Sequence, residues 1–377
     1  MKIGIDLRTL LDKKYSGISE YSYNLIKNLL KIDQNNDYIF FVNSFSSLNP
    51  KIKELVKNKK IIHTRFPNKI FNYGMQKIIK RPYIDELLKE VDLFFMPHLN
   101  FISLSPKTKK IITIHDLSFV RNKKFFSFKK NLWHFNLNVK KILDNFDKII
   151  TVSENTKNDI IELYNIPENK IKVVYSGIST NFKKRNKKDA KLLKIKEKYR
   201  LDSSFIFYLG NIEPRKNIEG IIKSYEKFLD SKDENKKYNL VIAGNWGWKY
   251  KNIKKIWHFS KYKNKIKFLS YIDEKDKKYI YNLCDLFIYP SFYEGFGFPP
   301  LEAVFSGAKV ITSFSSSLPE ISNNLFTLVN PYDSNSLKIA MEKTLNYDRI
   351  EENKVNIRRK EFDWENVAKK YLEIFLD

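Results

Sequence analysis

The chain has 377 residues, 42% of them hydrophobic and 15% aromatic, and its 69 Lys+Arg against 43 Asp+Glu give a formal charge of +26. That length predicts two domains, and the apolar content excludes a disordered polymer. No run reaches the ~18–20 uninterrupted apolar residues of a membrane-spanning helix. The opening MKIGIDLRTLLDKK carries Asp6, Arg8 and Asp12 where a secretion signal needs an apolar core, so it reads as a first strand. Cys284 is the single cysteine; it sits in the apolar run YNLCDLFIY with no disulfide partner and no metal-ligand cluster nearby, which fits a cytoplasmic address. The basic excess has two readings, attraction to a polyanion and a lysine-rich codon bias. It is diffuse and no nucleic-acid motif accompanies it, so no nucleic-acid partner is expected. The excess reads as a mixture of the two, with a peripheral contact at the anionic inner face of the cytoplasmic membrane as its functional part.

In chain order, KIGIDL is a strand, and after a loop ending at Ser16-Gly17 a helix carries Ile18, Ser22, Leu25 and Leu29 on one face. Strands follow at YIFFVN (38–43), DLFFMP (92–97), KIITIH (110–115) and KIITVS (148–153), the last opening a helix capped by Ser153. KIKVVYSGI closes the series. Residues 181–203, with NFKKRNKKDAKLLKIKEKYR at their start, read as a basic linker leading into a short helix. A second series then runs FIFYLG, NIEGIIKSYEKFL, YNLVIAG, KIKFLSYI, DLFIYPS, PPLEAVFSG and KVITS. The tail DWENVAKKYLEIFLD is amphipathic, with Trp364, Val367, Tyr371 and Phe375 on one side.

This alternation predicts an α/β chain of two doubly wound, Rossmann-like parallel-sheet domains facing across a cleft. Residues 1–180 form the first, 204–355 the second, and 356–377 a helix that packs back on the first. In such sheets ligands lie outside the C-terminal strand ends, so the loops there carry the functional reading. In IYPSFYEGFGFPPLEAVFSG, Glu294 stands in a loop whose backbone donors are freed by Gly295 and Gly297 around Phe296. Pro299 and Pro300 suit the start of a helix, and Glu302 falls in about its first turn, where the positive end favours an ionised carboxylate able to accept from a vicinal diol such as a ribose. In LGNIEPRKN, Arg215 and Lys216 lie at a strand end beside a helix that Asn217 can cap, a placement suited to a diphosphate. Gly17 opens a helix whose N-terminus could hold the same phosphates. His115-Asp116 ends a first-domain strand; it reads equally as a capped strand end and as a functional pair. No metal-ligand spacing, P-loop or G-x-S-x-G element is present.

Those residues carry a resemblance across nearly the whole length. The chain resembles the retaining family 4 (group 1) glycosyltransferases of GT-B fold, most specifically in Glu294 and Glu302 within PSFYEGFGFPPLEAVFSGAKVI. SGISEYSYNLI, TIHDLSF, TVSENTKNDI, KVVYSGIS, YLGNIEPRKN and SSSLPEIS support it. The opening segment and SSSLPEIS look most like the branch acting in bacterial surface-polysaccharide and lipopolysaccharide assembly, often mannosyltransferases. The resemblance implies a hexosyltransferase using a GDP- or UDP-linked sugar, with a saccharide or lipid-linked acceptor and no cofactor or metal. It implies Glu294 on the donor sugar, Glu302 on the ribose, and Arg215, Lys216, Gly17 and the 295–297 backbone on the diphosphate. Tyr271 and Ile272 would meet the base, and His115 and Asp116 the reacting centre and acceptor. Two departures bear on the nucleotide: Ser16 precedes Gly17 where paired glycines are usual, and Ser270 stands where glycine is usual beside the base contact.

Two other readings are weighed against transfer: a nucleotide-sugar epimerase of similar architecture, and a non-catalytic basic membrane- or nucleic-acid-binding protein on a degenerate scaffold. Intact Glu294, Arg215, Lys216 and Glu302 speak against degeneracy. FVRNKKFFSFKKNLWHF (119–135) interleaves aromatics with Lys123, Lys124, Lys129 and Lys130. It reads either as a segment that meets a lipid-carried acceptor or as an ordinary helix and loop of the acceptor side.

Overall fold

The computed structural model describes residues 1–11, 17–347 and 351–377; Asp12 and Ser16 lie outside the described residues. The chain forms two compact units. The first comprises Met1–Leu117, Phe128–Gly177 and Phe362–Asp377, the second Ser118–Ser127 and Ile178–Glu361.

The first unit is built on seven parallel strands: β1 (Lys2–Asp6), β2 (Asp37–Asn43), β3 (Lys60–Thr64), β4 (Leu93–Met96), β5 (Lys109–Ile114), β6 (Lys148–Thr151) and β7 (Ile171–Val173). Their order is β3-β2-β1-β4-β5-β6-β7. The second holds six: β8 (Phe205–Leu209), β9 (Asn239–Ala243), β10 (Ile266–Leu269), β11 (Leu286–Tyr289), β12 (Lys309–Ser313) and β13 (Thr327–Val329), ordered β10-β9-β8-β11-β12-β13. Helices cover both faces of each sheet, so the central strands are apolar on both sides; Ile3, Ile5, Phe94, Phe95, Ile206, Phe207, Phe287 and Ile288 are all fully buried. The strands stay parallel throughout, but the order in which the chain lays them down reverses once in each sheet, between β1 and β4 and between β8 and β11. Those reversals are the crevices where doubly wound sheets take ligands. The edge strands β3 and β13 escaped the sequence reading because KIIHT and TLV are only partly covered and carry no continuous apolar run.

The predicted return of the tail to the first unit is observed. The helix Trp364–Leu376 starts at Asp363, whose carboxylate accepts from the amides of Glu365 and Asn366, and it buries Trp364, Val367, Ala368, Tyr371 and Phe375. It packs along the helix Gly17–Ile32. Tyr371 Oη meets Tyr21 Oη and lies 2.9 Å from Thr113 Oγ1. Trp364 lies on Gly177, where an added Cβ would come within 2.4 Å of its ring.

Three sequence boundaries move. The helix Glu352–Glu361 stays with the second unit, where buried Arg358 donates to the carbonyl of Glu320, so the returning segment begins at Phe362 and not at 356. The basic stretch 181–203 lies within the second unit and is not a free linker. Its helix Ala190–Lys198 buries Leu192 and Ile195, and Lys198 pairs with Asp273 and Asp276. The stretch 119–135 also divides. Residues 118–127 belong to the second unit, where Phe125 stacks on Phe292 at 5.7 Å and Phe126 on Trp248 at 5.7 Å, whereas Phe128–Leu137 is a helix of the first unit. Lys123 and Lys124 thus belong to the second unit, Lys129 and Lys130 to the first.

Because Trp364 fills a fixed site between Tyr21 (5.6 Å between rings) and Gly177, Trp364→Ala is expected to cost about 3–5 kcal/mol. Thermal unfolding followed by near-UV circular dichroism should show a lowered first transition. An unchanged midpoint would mean that the returning helix does not stabilise the unit.

Candidate active site

The reversal between β8 and β11 brings together residues 79 positions apart in sequence. After β8 the chain passes through Glu213 into the short turn Pro214–Lys216, and Asn217 then opens the helix Ile218–Ser231. Asn217 adopts φ +57°, a left-handed conformation that asparagine tolerates. Its side-chain oxygen accepts from the Gly220 amide, as its capping role predicts, while its Nδ2 donates to the carbonyls of Pro290 and Pro331. The turn is thereby tied to the end of β11. Arg215 Nη1 donates to the Tyr293 carbonyl at 2.6 Å and to Glu294 Oε2 at 3.0 Å. Lys216 Nζ donates to Glu294 Oε1 at 2.6 Å and lies 2.5 Å from Tyr289 Oη. Arg215 also pairs with Glu213 at 3.1 Å. All four charged side chains are nearly removed from water.

A second layer holds the Glu294 loop. The Glu294 amide donates to Ser316 Oγ at 2.7 Å, and Ser317 Oγ donates to the carbonyls of Phe296 (2.7 Å) and Glu294 (3.1 Å). Gly297 adopts φ +119°, and a Cβ there would meet Ile321 at 2.6 Å, so the loop turns over the following helix only with glycine. The helix Phe298–Phe305 begins with the expected prolines, but Glu302 is its fifth residue, deeper than a first-turn position. The helix end therefore does less for it; Tyr281 Oη donates to its carboxylate at 3.0 Å. Beyond β10, Tyr271 is exposed and Ile272 buried.

In the first unit, Gly17 is the exposed first residue of the helix Gly17–Ile32. His115 follows β5 and its Nε2 lies 2.9 Å from the Pro97 carbonyl. A carbonyl only accepts, so Nε2 carries the proton and the neutral ring keeps its lone pair on Nδ1. Loss of hydration lowers the His115 pKa, opposed by the Pro97 contact and by Asp116. The Tyr21 ring meets His115 edge-on at 4.6 Å. His98 lies 6.1 Å from His115, and burial followed by the neighbouring His115, His134 and Arg8 holds it at about 3. Arg8 is buried against Asp6, with its Nη2 donating to Asp6 Oδ2 at 2.6 Å and to the Phe101 carbonyl at 3.0 Å.

The structure thus joins Glu294, Arg215 and Lys216 directly, and places Gly295, Phe296, Gly297 and Glu302 on the same loop and helix. His115, Asp116 and Gly17 belong to the other unit. Sequence reasoning missed Ser316, Ser317, Tyr289, Tyr281, Arg8 and His98. The three consecutive serines of SSSLPEIS, placed just after β12 beside β11, were the one readable sign of the brace. Among the described residues no group of three His, Cys, Asp or Glu is arranged to hold a metal ion.

Comparison with known proteins gives family matches along nearly the whole chain. Residues 15–182 match the family model described as Glycosyltransferase Family 4, and residues 189–361 that described as Glycosyl transferases group 1. O-antigen chain mannosyltransferase B of Escherichia coli is 27% identical over 368 residues, which cover 93% of each chain. The serotype-specific mannosyltransferase WbdA of Escherichia coli is 30% identical over 69% of this chain, which spans only 32% of WbdA's length. The crystal structure of HepE from Anabaena in complex with UDP and glucose superposes with a TM-score of 0.71 at 17% identity, over 100% of this chain and 99% of that one, a likeness of fold.

Burial alone would raise the Glu294 pKa, but Arg215 and then Lys216 overcome it and hold the carboxyl at about 2 against an ordinary 4.5. A lowered pKa favours the folded state above the ordinary value, and that contribution is lost as the pH falls from about 4.5 towards about 2. Glu294→Gln leaves two buried cations short of a partner, at an expected cost of about 3–5 kcal/mol. Melting curves recorded from about pH 6 to about pH 2 should show the variant less stable at neutral pH and less sensitive to acid below about pH 4.5. Parallel curves for the two proteins would contradict the ion cluster.

Proposed function

The chain belongs to the group 1, family 4 glycosyltransferases of GT-B fold, and we propose that it moves a hexose, mannose first among the candidates, from a GDP- or UDP-linked donor to a saccharide or lipid-linked acceptor in surface-glycan assembly. The observation that carries this reading is the meeting of Arg215, Lys216 and Glu294 at the reversal of the second sheet. The similarity to O-antigen mannosyltransferases supports the sugar and the pathway class.

In this reading the guanidinium of Arg215 and the ammonium of Lys216 receive the diphosphate, with amides of Gly295, Phe296 and Gly297 beside them. Glu294 orients the sugar ring, Glu302 takes the ribose hydroxyls, and Tyr271 and Ile272 flank the base. Gly17, His115 and Asp116 belong to the first unit, and for them the family resemblance implies roles toward the phosphates and the acceptor. Neutral His115, its proton committed to Pro97, acts as a hydrogen-bond acceptor through Nδ1. The bond from the anomeric carbon to the diphosphate oxygen breaks and a bond to the acceptor oxygen forms on the same face. The acceptor proton passes to the departing diphosphate, so no covalent glycosyl-enzyme is needed. The two cations supply the charge that a divalent ion would otherwise bring.

A thermal-shift panel of UDP, GDP, ADP and CMP tests the donor site, since a ligand that binds only the folded state raises its stability. One diphosphate should stabilise the protein, and Glu302→Ala should weaken that shift by roughly tenfold in apparent affinity, in keeping with loss of about 1.4 kcal/mol of charged hydrogen bonding. No stabilisation by any nucleotide would favour the non-catalytic reading, and a donor converted to its epimer without an acceptor would favour the epimerase. Protein stripped with a chelator should retain transfer; complete loss restored by Mn²⁺ would overturn the metal-independent scheme.

A further inference from the structure

Two stretches of the first unit, 55–84 and 128–143, contain no acidic residue, and the fold sets them side by side. The helical segment Ile70–Ile79 and the helix Phe128–Leu137 are joined by Lys77 Nζ donating to Asn136 Oδ1 at 2.6 Å. They also share a ring chain, Tyr73 to Phe101 at 4.8 Å and Phe101 to Trp133 at 5.9 Å. While those groups pack inward, the large apolar side chains turn to water. Phe128, Leu132 and Phe135 recur at helical spacing and are 80%, 49% and 82% exposed, and Ile78 and Ile79 are 74% and 64% exposed. Cations accompany them. The Lys141 ammonium sits so close to that of Lys80 that the pair lowers its pKa, and Lys69, Lys80 and Lys129 are exposed.

We propose that this two-helix face docks on a lipid bilayer carrying anionic headgroups. Bulky apolar tips ringed by lysines, with acidic side chains absent from both stretches, match the boundary between headgroups and acyl chains. A second copy of the chain fits poorly, because a two-fold contact through this patch sets the same lysines against themselves. Nucleic acid fits poorly too, because isoleucine and leucine tips offer its phosphates and base edges no hydrogen bond. The inference deepens the proposed function, since it brings a lipid-linked acceptor to the unit that carries His115, but the docking is testable without any acceptor.

The test is flotation of the full chain with phosphatidylcholine vesicles and with vesicles that also contain phosphatidylglycerol. Wild type should float at least about tenfold better with the anionic vesicles. The triple variant Ile78→Asn, Phe128→Ser, Phe135→Ser should lose most of that binding, and Lys80→Gln with Lys141→Gln should lose part of it. Both variants should keep the thermal shift given by the preferred nucleoside diphosphate, which shows the fold intact. Equal flotation of wild type and triple variant, or no flotation of wild type, overturns the proposal. So does a lipid-free dimer of wild type that the triple variant abolishes. If no nucleotide shifts any of the proteins while flotation still follows the substitutions, the donor reading fails and the docking surface stands.

Discussion

The second unit is organised around one buried interaction, the carboxylate of Glu294 held between the ammonium of Lys216 and the guanidinium of Arg215. Ions withdrawn from water are costly unless every partner is in place, so the cluster demands accurate support. Asn217 ties the turn that carries the cations to Pro290, Ser316 and Ser317 fasten the loop that carries the carboxylate, and Gly297 lets that loop turn over the helix below it. Each support comes from a different strand end: after β8, β11 and β12. The parallel sheet is what brings those ends to one edge, and its reversal between β8 and β11 opens the space the charges occupy.

The first unit solves a different problem. Its polar centre is made of histidines kept neutral and not of a compensated ion cluster. His98 and His115 lie together near Arg8, and both have pKa values lowered first by loss of hydration. Arg8 pairs with Asp6 at 2.6 Å, and the guanidinium is among the neighbours that oppose protonation of His98. The returning helix underlies this arrangement. Tyr371 reaches Tyr21 and Thr113, and Tyr21 in turn presents its ring to His115 at 4.6 Å. Residues more than 250 positions apart thus fix the setting of one imidazole.

Most of the architecture was legible because buried parallel strands are written as continuous apolar runs, such as FIFYL and LFFM. The edge strands β3 and β13 were not, since half-covered KIIHT and TLV need no such run. The returning helix was legible from the spacing of Trp364, Val367, Tyr371 and Phe375, though its starting point was not: Arg358 looks like solvent-facing charge until its bonds to Glu320 and Ile321 are seen. At the site, residue types and strand-end positions identified Glu294, Arg215 and Lys216. Their mutual pairing was hidden, because a local reading gives each charge to solvent or ligand and only the fold reveals that they meet. His98 and the serine brace had still weaker signals, a histidine beside a proline and three small hydroxyls in a loop.

The pairing sets a condition on how any diphosphate can use the site. Arg215 and Lys216 are matched by Glu213 and Glu294, so the cluster is neutral as it stands. A doubly charged ligand arriving there meets cations whose donors already point at carboxylate oxygens, and it gains little unless one carboxylate withdraws. Glu213 is the more enclosed and lies in the turn itself, whereas Glu294 stands in a glycine-bounded loop. In the proposed donor reading, Glu294 is therefore the group that yields. In that reading its carboxylate, displaced from the cations, would accept hydroxyls of a sugar attached to the same diphosphate. Arrival of phosphate and recognition of sugar would then be one event, and the ion cluster that stabilises the fold would also serve to register the proposed donor.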